Sequence, residues 1–182
     1  MIAALFAVCV GLSARGDEAE SFDRWYAGAS GGMLLPGNGN SLKRAGMVTV
    51  RGGWYATEFV AVEAEALCAP NASSGGGHAT VWGGSLQGLW HLSGWEEFDM
   101  LFGCERFDPF VTCGVQALCA TRHAFADDSH RTGIGPSIGF GAFYHLTDRW
   151  SLRADARAAM SVDSPCGMVY SLTAGLQFSF GD

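Results

Sequence analysis

The sequence predicts an all-β fold, an eight-stranded antiparallel up-and-down transmembrane β-barrel, and three observations predict it. Apolar and polar side chains alternate along about eight runs, which is the period of two that a β-strand produces. Each run covers roughly 10 to 13 residues, longer than strands of typical soluble sheets but long enough to cross a bilayer at a tilt. The 26 glycines and 12% aromatic residues indicate strands joined by tight turns, with few helices.

The composition excludes several classes of protein. A chain of 182 residues suits one domain with a sizeable interior. Although 48% of the residues are hydrophobic, no run approaches the roughly 18 to 20 apolar residues of a membrane-spanning helix. The net charge of -7 and the lack of a Lys/Arg cluster exclude nucleic acid as a partner, and no motif requires a cofactor.

The first 16 residues have the pattern of a secretory signal peptide. Ile2 to Ala14 is almost wholly apolar, and Ala14-Arg15-Gly16 is a small-x-small cleavage pattern. No Lys or Arg stands at the start of this segment, directly after Met1, as it would in a typical signal peptide. A buried N-terminal helix is therefore the alternative. With cleavage after Gly16, residues 17–23 form a short segment that precedes a barrel over residues 24–182.

Four strands are predicted in the first half of the chain. Loops rich in Gly, Pro, Asn and Ser separate the first strand from the second and the third from the fourth, whereas Ala56-Thr57-Glu58 makes a short turn between the second and the third. The four strands are Trp25 to Leu35, Ala45 to Tyr55, Phe59 to Cys68 and His78 to Leu92.

The second half begins with an irregular segment, Ser93 to Asp108, which is predicted to be a long turn with one or two helical turns. A fifth strand, Pro109 to Cys119, and a polar loop, Thr121 to Arg131, follow it. The eighth strand is Met168 to Phe180, in which apolar residues alternate with small or polar ones. The sixth and seventh strands form the hairpin that shows the alternation most plainly.

This hairpin joins the runs Gly133 to Tyr144 and Trp150 to Met160 through the connection His145 to Arg149. In the second run all charged residues fall on one face, and the other face is wholly apolar. A helix from Asp148 to Met160 is the alternative, because alanine is the best helix former and Arg153 and Arg157 are four residues apart. The five alternations favour the strand.

The direction in which each face points distinguishes a soluble barrel from a membrane barrel. In a soluble lipocalin-like barrel the apolar set faces inward, whereas in an outer-membrane barrel that set faces lipid and the polar set fills the lumen. Short turns after the second and sixth strands alternate with polar loops after the first, third, fifth and seventh, as periplasmic turns and extracellular loops do. The alternation of short turns and longer polar loops therefore favours the membrane barrel, and a soluble ligand-binding barrel remains an alternative.

Two sets of side chains follow from this orientation. An eight-stranded barrel is just wide enough for side chains to fill it, and opposite charges can pair inside it. The predicted lumen charge network is Arg51, Glu63, Glu65, Gln87, Arg153, Asp155 and Arg157. Aromatic residues cluster near strand ends on the short-turn side, where an aromatic girdle meets the membrane interface. The predicted girdle is Trp25, Tyr26, Trp54, Tyr55, Trp90, Tyr144 and Trp150.

The cysteines offer one candidate disulfide. Of the six cysteines, Cys9 lies in the signal segment, so an odd number remains and at least one thiol is unpaired. The lack of a C-x-x-C spacing weakens any zinc or redox site. Export permits disulfides, and Cys68 with Cys166 is the preferred pair because both lie at strand ends beside loops.

Two ligand sites are considered and set aside. Thr132 to Gly139 is glycine-rich like a phosphate loop, but it lacks the strand-turn-helix setting and has a proline where the helix should open. His123, Asp127, Asp128 and His130 share one polar loop and could gather a divalent cation, yet polar loops commonly hold such residues without a metal. The prediction is therefore no metal site.

Several short motifs, taken in their order, resemble the OmpA/OmpX-like outer-membrane β-barrel family. They are Trp25 to Ala29 (WYAGA), Gly135 to Gly141 (GPSIGFG), Tyr144 to Asp155 (YHLTDRWSLRAD) and a last strand that ends in Phe180. The resemblance covers roughly Phe22 to Asp182. It implies an eight-stranded barrel in the cell outer membrane with both termini in the periplasm, which makes residues 17–23 a periplasmic segment.

The residues and the resemblance together predict a non-enzymatic integral barrel with a structural or surface-interaction role, a polar plugged lumen and no general-porin activity. Its expected partners are outer-membrane lipids and the barrel-assembly machinery, which would engage the strand ending at Phe180, and the barrel is expected to be a monomer. The alternative is a lipid-modifying barrel enzyme of the lipid A deacylase or acyltransferase type. His123, Ser129 and His130 offer an acyl-transfer dyad, but no order or spacing matches those families, so no catalytic residue is predicted.

Overall fold

The computed structural model describes residues 25–37, 43–70, 80–93, 106–120, 131–160 and 167–180, and these form a closed barrel of eight strands. Within these ranges no helix is long and apolar enough to cross a bilayer. The strands are β1 (Trp25–Pro36), β2 (Ala45–Tyr55), β3 (Val60–Pro70), β4 (Thr80–His91), β5 (Phe107–Ala120), β6 (Arg131–His145), β7 (Trp150–Met160) and β8 (Met168–Phe180).

Each strand pairs antiparallel with its neighbours in the chain, and β1 pairs with β8 to close the barrel. The predicted fold class is therefore confirmed. The helix considered for Asp148 to Met160 is wrong, because Trp150–Met160 is strand β7, and the glycine-rich segment Thr132 to Gly139 is part of strand β6. Strand β5 begins at Phe107, so Phe107 and Asp108 belong to a strand and not to the long turn predicted there.

The apolar face of the strands points outward and the polar face inward. Phe140 is 67% exposed on the outer surface, whereas Arg153 is 2% exposed inside the barrel. A soluble barrel requires the reverse arrangement, because charged groups are stable in water and apolar ones are not. The orientation of the faces therefore fits a barrel that is surrounded by lipid.

The two short turns of the barrel have the same local structure. In the turn from 56 to 59, Thr57 Oγ1 accepts hydrogen bonds from the backbone N–H groups of Phe59 (3.3 Å) and Val60 (3.1 Å). In the turn from 146 to 149, Thr147 Oγ1 accepts from Arg149 (3.4 Å) and Trp150 (3.0 Å). A threonine that bonds to the backbone two and three residues ahead stabilises a tight turn, which explains why both hairpins close over so few residues.

The outer surface at the short-turn end carries a partial aromatic girdle. Trp25 and Trp54 lie side by side with ring centroids 6.4 Å apart, and Trp150 meets Phe178 at 4.9 Å. Tyr144 is also exposed there, and Trp90 is half-buried on the outer face. Phe178 and Phe180, whose rings lie 4.9 Å apart, extend this band and were not predicted as part of it.

Tyr26 and Tyr55 were wrongly predicted to belong to the girdle. Tyr26 is only 2% exposed, and Tyr55 packs against the buried aromatic cluster inside the barrel. The reason is the alternation itself: Trp25 and Trp54 face outward, so the residue that follows each must face inward. The Tyr26 ring lies over Gly53, its cross-strand partner, where any side chain would collide with it.

The inward-facing side chains form three layers. An aliphatic layer lies at the end that bears the long loops, and it consists of Leu34, Ala45, Met47, Leu67, Ala69, Val81, Leu118, Ala120 and Val169. An aromatic layer lies toward the short-turn end, and it consists of Tyr26, Ala61, Leu89, Phe110 and Phe143 with Tyr55 beside them. Charged and polar side chains occupy the level between. The apolar side chains on either side of the charged level were not part of the predicted polar lumen.

Inward-facing glycines make room for this filling. At Gly139 an added Cβ would lie 2.6 Å from Arg157 Cγ and 2.7 Å from the backbone oxygen of Ala156. Gly31 faces outward, and an added Cβ there meets nothing within 4 Å. The two glycines therefore differ in how much a methyl group would disturb the packing.

Gly139→Ala is expected to lower the free energy of unfolding by about 1 to 3 kcal/mol, the usual cost of overpacking an interior. Gly31→Ala is the matched control and is expected to leave stability almost unchanged. Urea unfolding of the two variants, each folded in the same lipid vesicles, measures the difference. Equal midpoints would contradict the tight packing around Arg157.

Candidate functional site

The middle of the lumen holds six ionisable side chains from three strands. Arg51 comes from β2, Glu63 and Glu65 from β3, and Arg153, Asp155 and Arg157 from β7, all on inward-facing positions. Alternate residues of one strand project to the same side, so each strand delivers its charges to the lumen in a column. Three guanidinium groups face three carboxylates, and their formal charges sum to zero.

Every carboxylate in this network contacts at least two guanidinium groups. Glu63 pairs with Arg153, and its Oε1 also lies 3.1 Å from Arg157 Nη2. Glu65 lies 3.1 Å from both Arg51 and Arg157. Multiple pairing of this kind offsets the large desolvation cost of burying charge.

Asp155 joins the network from the side of β7. Its Oδ2 lies 3.0 Å from Arg51 Nη1 and 3.4 Å from Arg153 Nε, and its Oδ1 lies 2.8 Å from Arg157 Nε. Thr173 donates its hydroxyl to Asp155 Oδ2 at 2.7 Å. The six groups therefore form one connected cluster that crosses the lumen from β2 and β3 to β7.

Neutral side chains add further hydrogen bonds to the cluster. Arg51 Nη2 donates to Ser30 and Thr49, both at 3.0 Å. The Tyr26 hydroxyl donates to Glu63 Oε2 at 2.9 Å. Gln87, which the sequence placed in the network, lies opposite Glu63 in the register but donates to Ser137 at 3.1 Å. It belongs to the same polar layer without being paired to a charge.

The aromatic layer packs directly beneath the charges. The Arg153 guanidinium carbon lies 4.7 Å from the centre of the Phe110 ring and 5.1 Å from that of Phe143. Such cation–π contacts stabilise a guanidinium group that is removed from water. The aromatic rings thus both cover the network and interact with it.

A cavity of about 410 Å³ opens at the short-turn end below this layer. It is lined by Tyr55, Glu58, His91, Arg106, Asp108, His145, Leu146, Thr147, Asp148 and Ser179. The His91 Nδ1 and Asp108 Oδ2 atoms are 2.5 Å apart, and His145 Nε2 lies 3.9 Å from the same oxygen. Sequence reasoning missed this cluster. The available signal was that His91 and His145 occupy inward positions at two strand ends on the same side of the barrel.

Several predicted sites lie outside the described residues. They include the signal segment at residues 1–16, the segment 17–23, the candidate cation loop and the candidate acyl-transfer dyad. Cys166 lies outside as well, while Cys68 is a free cysteine on the outer face beside Trp82. Among the residues that are described, no three His, Cys, Asp or Glu side chains are arranged as a ready metal centre.

Comparison with known proteins identifies a family and a set of similar folds. Residues 2–178 match the family described as outer membrane protein beta-barrel domain. No curated protein matches the sequence. Neisserial surface protein A is 15% identical with a TM-score of 0.66, over 90% of this chain and all (100%) of that one.

Two further solved structures share the fold. The N-terminal β-barrel domain of OprF from Pseudomonas aeruginosa is 16% identical with a TM-score of 0.62, over 87% of this chain and 98% of that one. Ail, the attachment invasion locus protein of Yersinia pestis, is 10% identical with a TM-score of 0.55, over 87% and 97%. These likenesses support the same eight-stranded architecture.

Proposed function

Because the chain belongs to the outer membrane protein β-barrel family and is located in the outer membrane, we propose that it is a non-conducting barrel with a structural or surface-interaction role and no enzymatic activity. Support for the closed lumen comes from the paired charge network, whose formal charges sum to zero and which lies between two apolar layers. An ion or solute that crosses the lumen must separate buried ion pairs and also pass both apolar layers. Each of these steps is costly in a low-dielectric interior.

The position of the long loops supports a role at the cell surface. Four connections, at residues 37–44, 71–79, 121–130 and 161–167, leave the barrel at the end opposite the two tight turns. Long loops of outer-membrane barrels face outward and short turns face the periplasm; the connection at residues 92–106, at the end of the two tight turns, is the exception. The barrel then serves as a rigid membrane element that presents these loops.

The inferred partners follow from the same arrangement. Outer-membrane lipids contact the apolar outer face, and the barrel-assembly machinery engages β8, the strand that ends at Phe180. The barrel acts as a monomer, since its eight strands close on themselves and leave no unpaired edge.

Planar-bilayer recording tests the closed lumen. The folded protein is expected to give no large, stable channels, at most small and infrequent openings. A sample that shifts mobility between unboiled and boiled detergent gels confirms that the barrel has folded, and a known general porin serves as the positive control. Large, stable conductance from the folded barrel would overturn the proposal.

A loop-shortened variant separates the structural role from the surface role. Replacing the four long connections by tight turns is expected to preserve folding, because the barrel pairs through its strands. If the variant restores envelope integrity to cells that lack the protein, the barrel itself carries the function; if it does not, the loops carry it. Altered lipid A acylation on expression of the parent would instead indicate an enzyme.

A further inference from the structure

Three side chains of types that can ligate a metal converge at the short-turn end of the lumen. His91 is the last residue of β4, Asp108 is the second residue of β5, and His145 is the last residue of β6. These three strands are neighbours in the barrel. All three residues line the cavity of about 410 Å³ at this end of the barrel.

His145 is held in an orientation that suits a ligand. Its Nδ1 lies 2.9 Å from Ser151 Oγ, which can accept the Nδ1–H and so leave the lone pair on Nε2. That Nε2 is the nitrogen directed at Asp108, 3.9 Å from Oδ2. Histidine ligands of metals usually have such a hydrogen-bonding partner on the other ring nitrogen. The side chain is 43% exposed and therefore accessible.

His91 is fixed by aromatic packing. Its ring stacks on Phe143, with centroids 5.6 Å apart, and lies 5.3 Å from the ring of Tyr55. Its Nδ1 contacts Asp108 Oδ2, while its buried Nε2 has no hydrogen-bond partner. An ion that takes Nδ1 therefore displaces only one hydrogen bond of this side chain.

We propose that His91 Nδ1, Asp108 and His145 Nε2 bind a divalent first-row transition ion such as Zn²⁺. The three groups do not form a ready centre as they stand, because the two nitrogens lie 2.5 and 3.9 Å from the same oxygen. In a tetrahedral zinc site neighbouring ligand atoms are about 3.3 Å apart, given bonds of about 2.0 to 2.1 Å. A shift of the carboxylate by about 1 Å can bring both distances near this value, and the adjoining cavity of about 410 Å³ can supply a water as the fourth ligand.

The other charges of the cavity favour a cation. Glu58 and Asp148, carried by the two tight turns, line it together with Arg106. Two carboxylates and one guanidinium give the cavity a net negative formal charge, even without counting Asp108. Imidazole and carboxylate donors prefer zinc and similar ions to magnesium or calcium, which take oxygen ligands.

Zinc titration by calorimetry tests the proposal on the folded barrel in detergent, without an added histidine tag. The parent is expected to bind one Zn²⁺, and Co²⁺ in its place should give the absorption spectrum of a four-coordinate nitrogen–oxygen site. His145→Gln is expected to weaken binding at least 10-fold. Ser151→Ala is expected to weaken it about 10-fold, the effect of removing a partner of a ligating histidine.

The matched control removes the histidines of the other candidate cation loop. His123→Gln/His130→Gln is expected to bind Zn²⁺ as the parent does. Loss of binding in this control, unchanged binding in both His145→Gln and Ser151→Ala, or no zinc binding by the parent would each overturn the proposal. A mobility shift between unboiled and boiled samples verifies that each variant is folded, and channel recordings of the parent test the closed lumen independently.

Discussion

Replacing Glu63 with Gln is expected to lower the free energy of unfolding by about 3 to 5 kcal/mol, as when one partner of a buried ion pair is removed. The Glu63 carboxylate accepts hydrogen bonds from Arg153, Arg157 and the Tyr26 hydroxyl. Its side chain is fully buried. Gln preserves the shape but removes the negative charge, which leaves the guanidinium groups with an uncompensated charge. Urea unfolding in lipid vesicles measures the loss.

Glu58→Gln is the matched control for this variant. Glu58 lies in the turn before the same strand and is exposed, so its neutralisation is expected to change stability by less than about 0.5 kcal/mol. The double variant Glu63→Gln/Arg153→Gln is expected to lose less than the sum of the two single variants, because the groups interact directly. Equal midpoints for the parent and Glu63→Gln would show that the network does not stabilise the barrel.

The sequence predicted which charges enter the lumen but not how they pair. The period of two assigns each residue of a strand to a face, so Arg51, Glu63 and Arg153 could be placed inside from local pattern alone. The pairing of Glu63 with Arg153 joins strands β3 and β7 across the barrel. It depends on closure and on the register of every strand between them, which no local pattern contains.

Residue type alone could not predict which aliphatic side chains face into the ends of the lumen. Leu67 and Val81 face inward, whereas Val62 and Leu86 face lipid, although all four are ordinary aliphatic residues. What distinguishes them is whether an even or an odd number of positions separates them from a charged residue of the same strand. Leu67 follows Glu65 by two positions and so shares its inward face, whereas Val62 precedes Glu63 by one position and so faces outward. The same alternation places Tyr26 and Tyr55 inside the barrel, whereas the clustering of aromatic residues near the strand ends favoured the outer face.

The His91, Asp108 and His145 cluster was hidden for a different reason. The alternation of the fifth strand is plain only from Pro109 onward, so the sequence assigned Asp108 to the preceding irregular segment. Strand β5 in fact begins at Phe107, which places Asp108 on an inward position opposite Phe143 in the register. The sequence also assigned His145 to the connection after the sixth strand, whereas β6 ends at His145, so two of the three groups fell outside the predicted strands.

Val50→Arg is expected to destabilise the membrane-inserted barrel by about 2 to 4 kcal/mol, whereas Val62→Arg should cost only about 0 to 1 kcal/mol. Both valines are exposed on the outer face. Val50 lies at the middle of β2, beside Ala29 and Ala66 in the register. Val62 lies beside Trp54 in the girdle, where a long cationic side chain can reach the headgroups and water.

Comparing the same substitution at two depths removes the effect of side-chain chemistry from the measurement. Unfolding of both variants in vesicles of the same lipid gives the two costs directly, and a clear excess at Val50 would place the bilayer midplane at the level of the charge network. Equal costs would mean that the bilayer is not centred there. The result also bears on the network itself, because charges at that depth have no access to solvent and must find their partners inside the barrel.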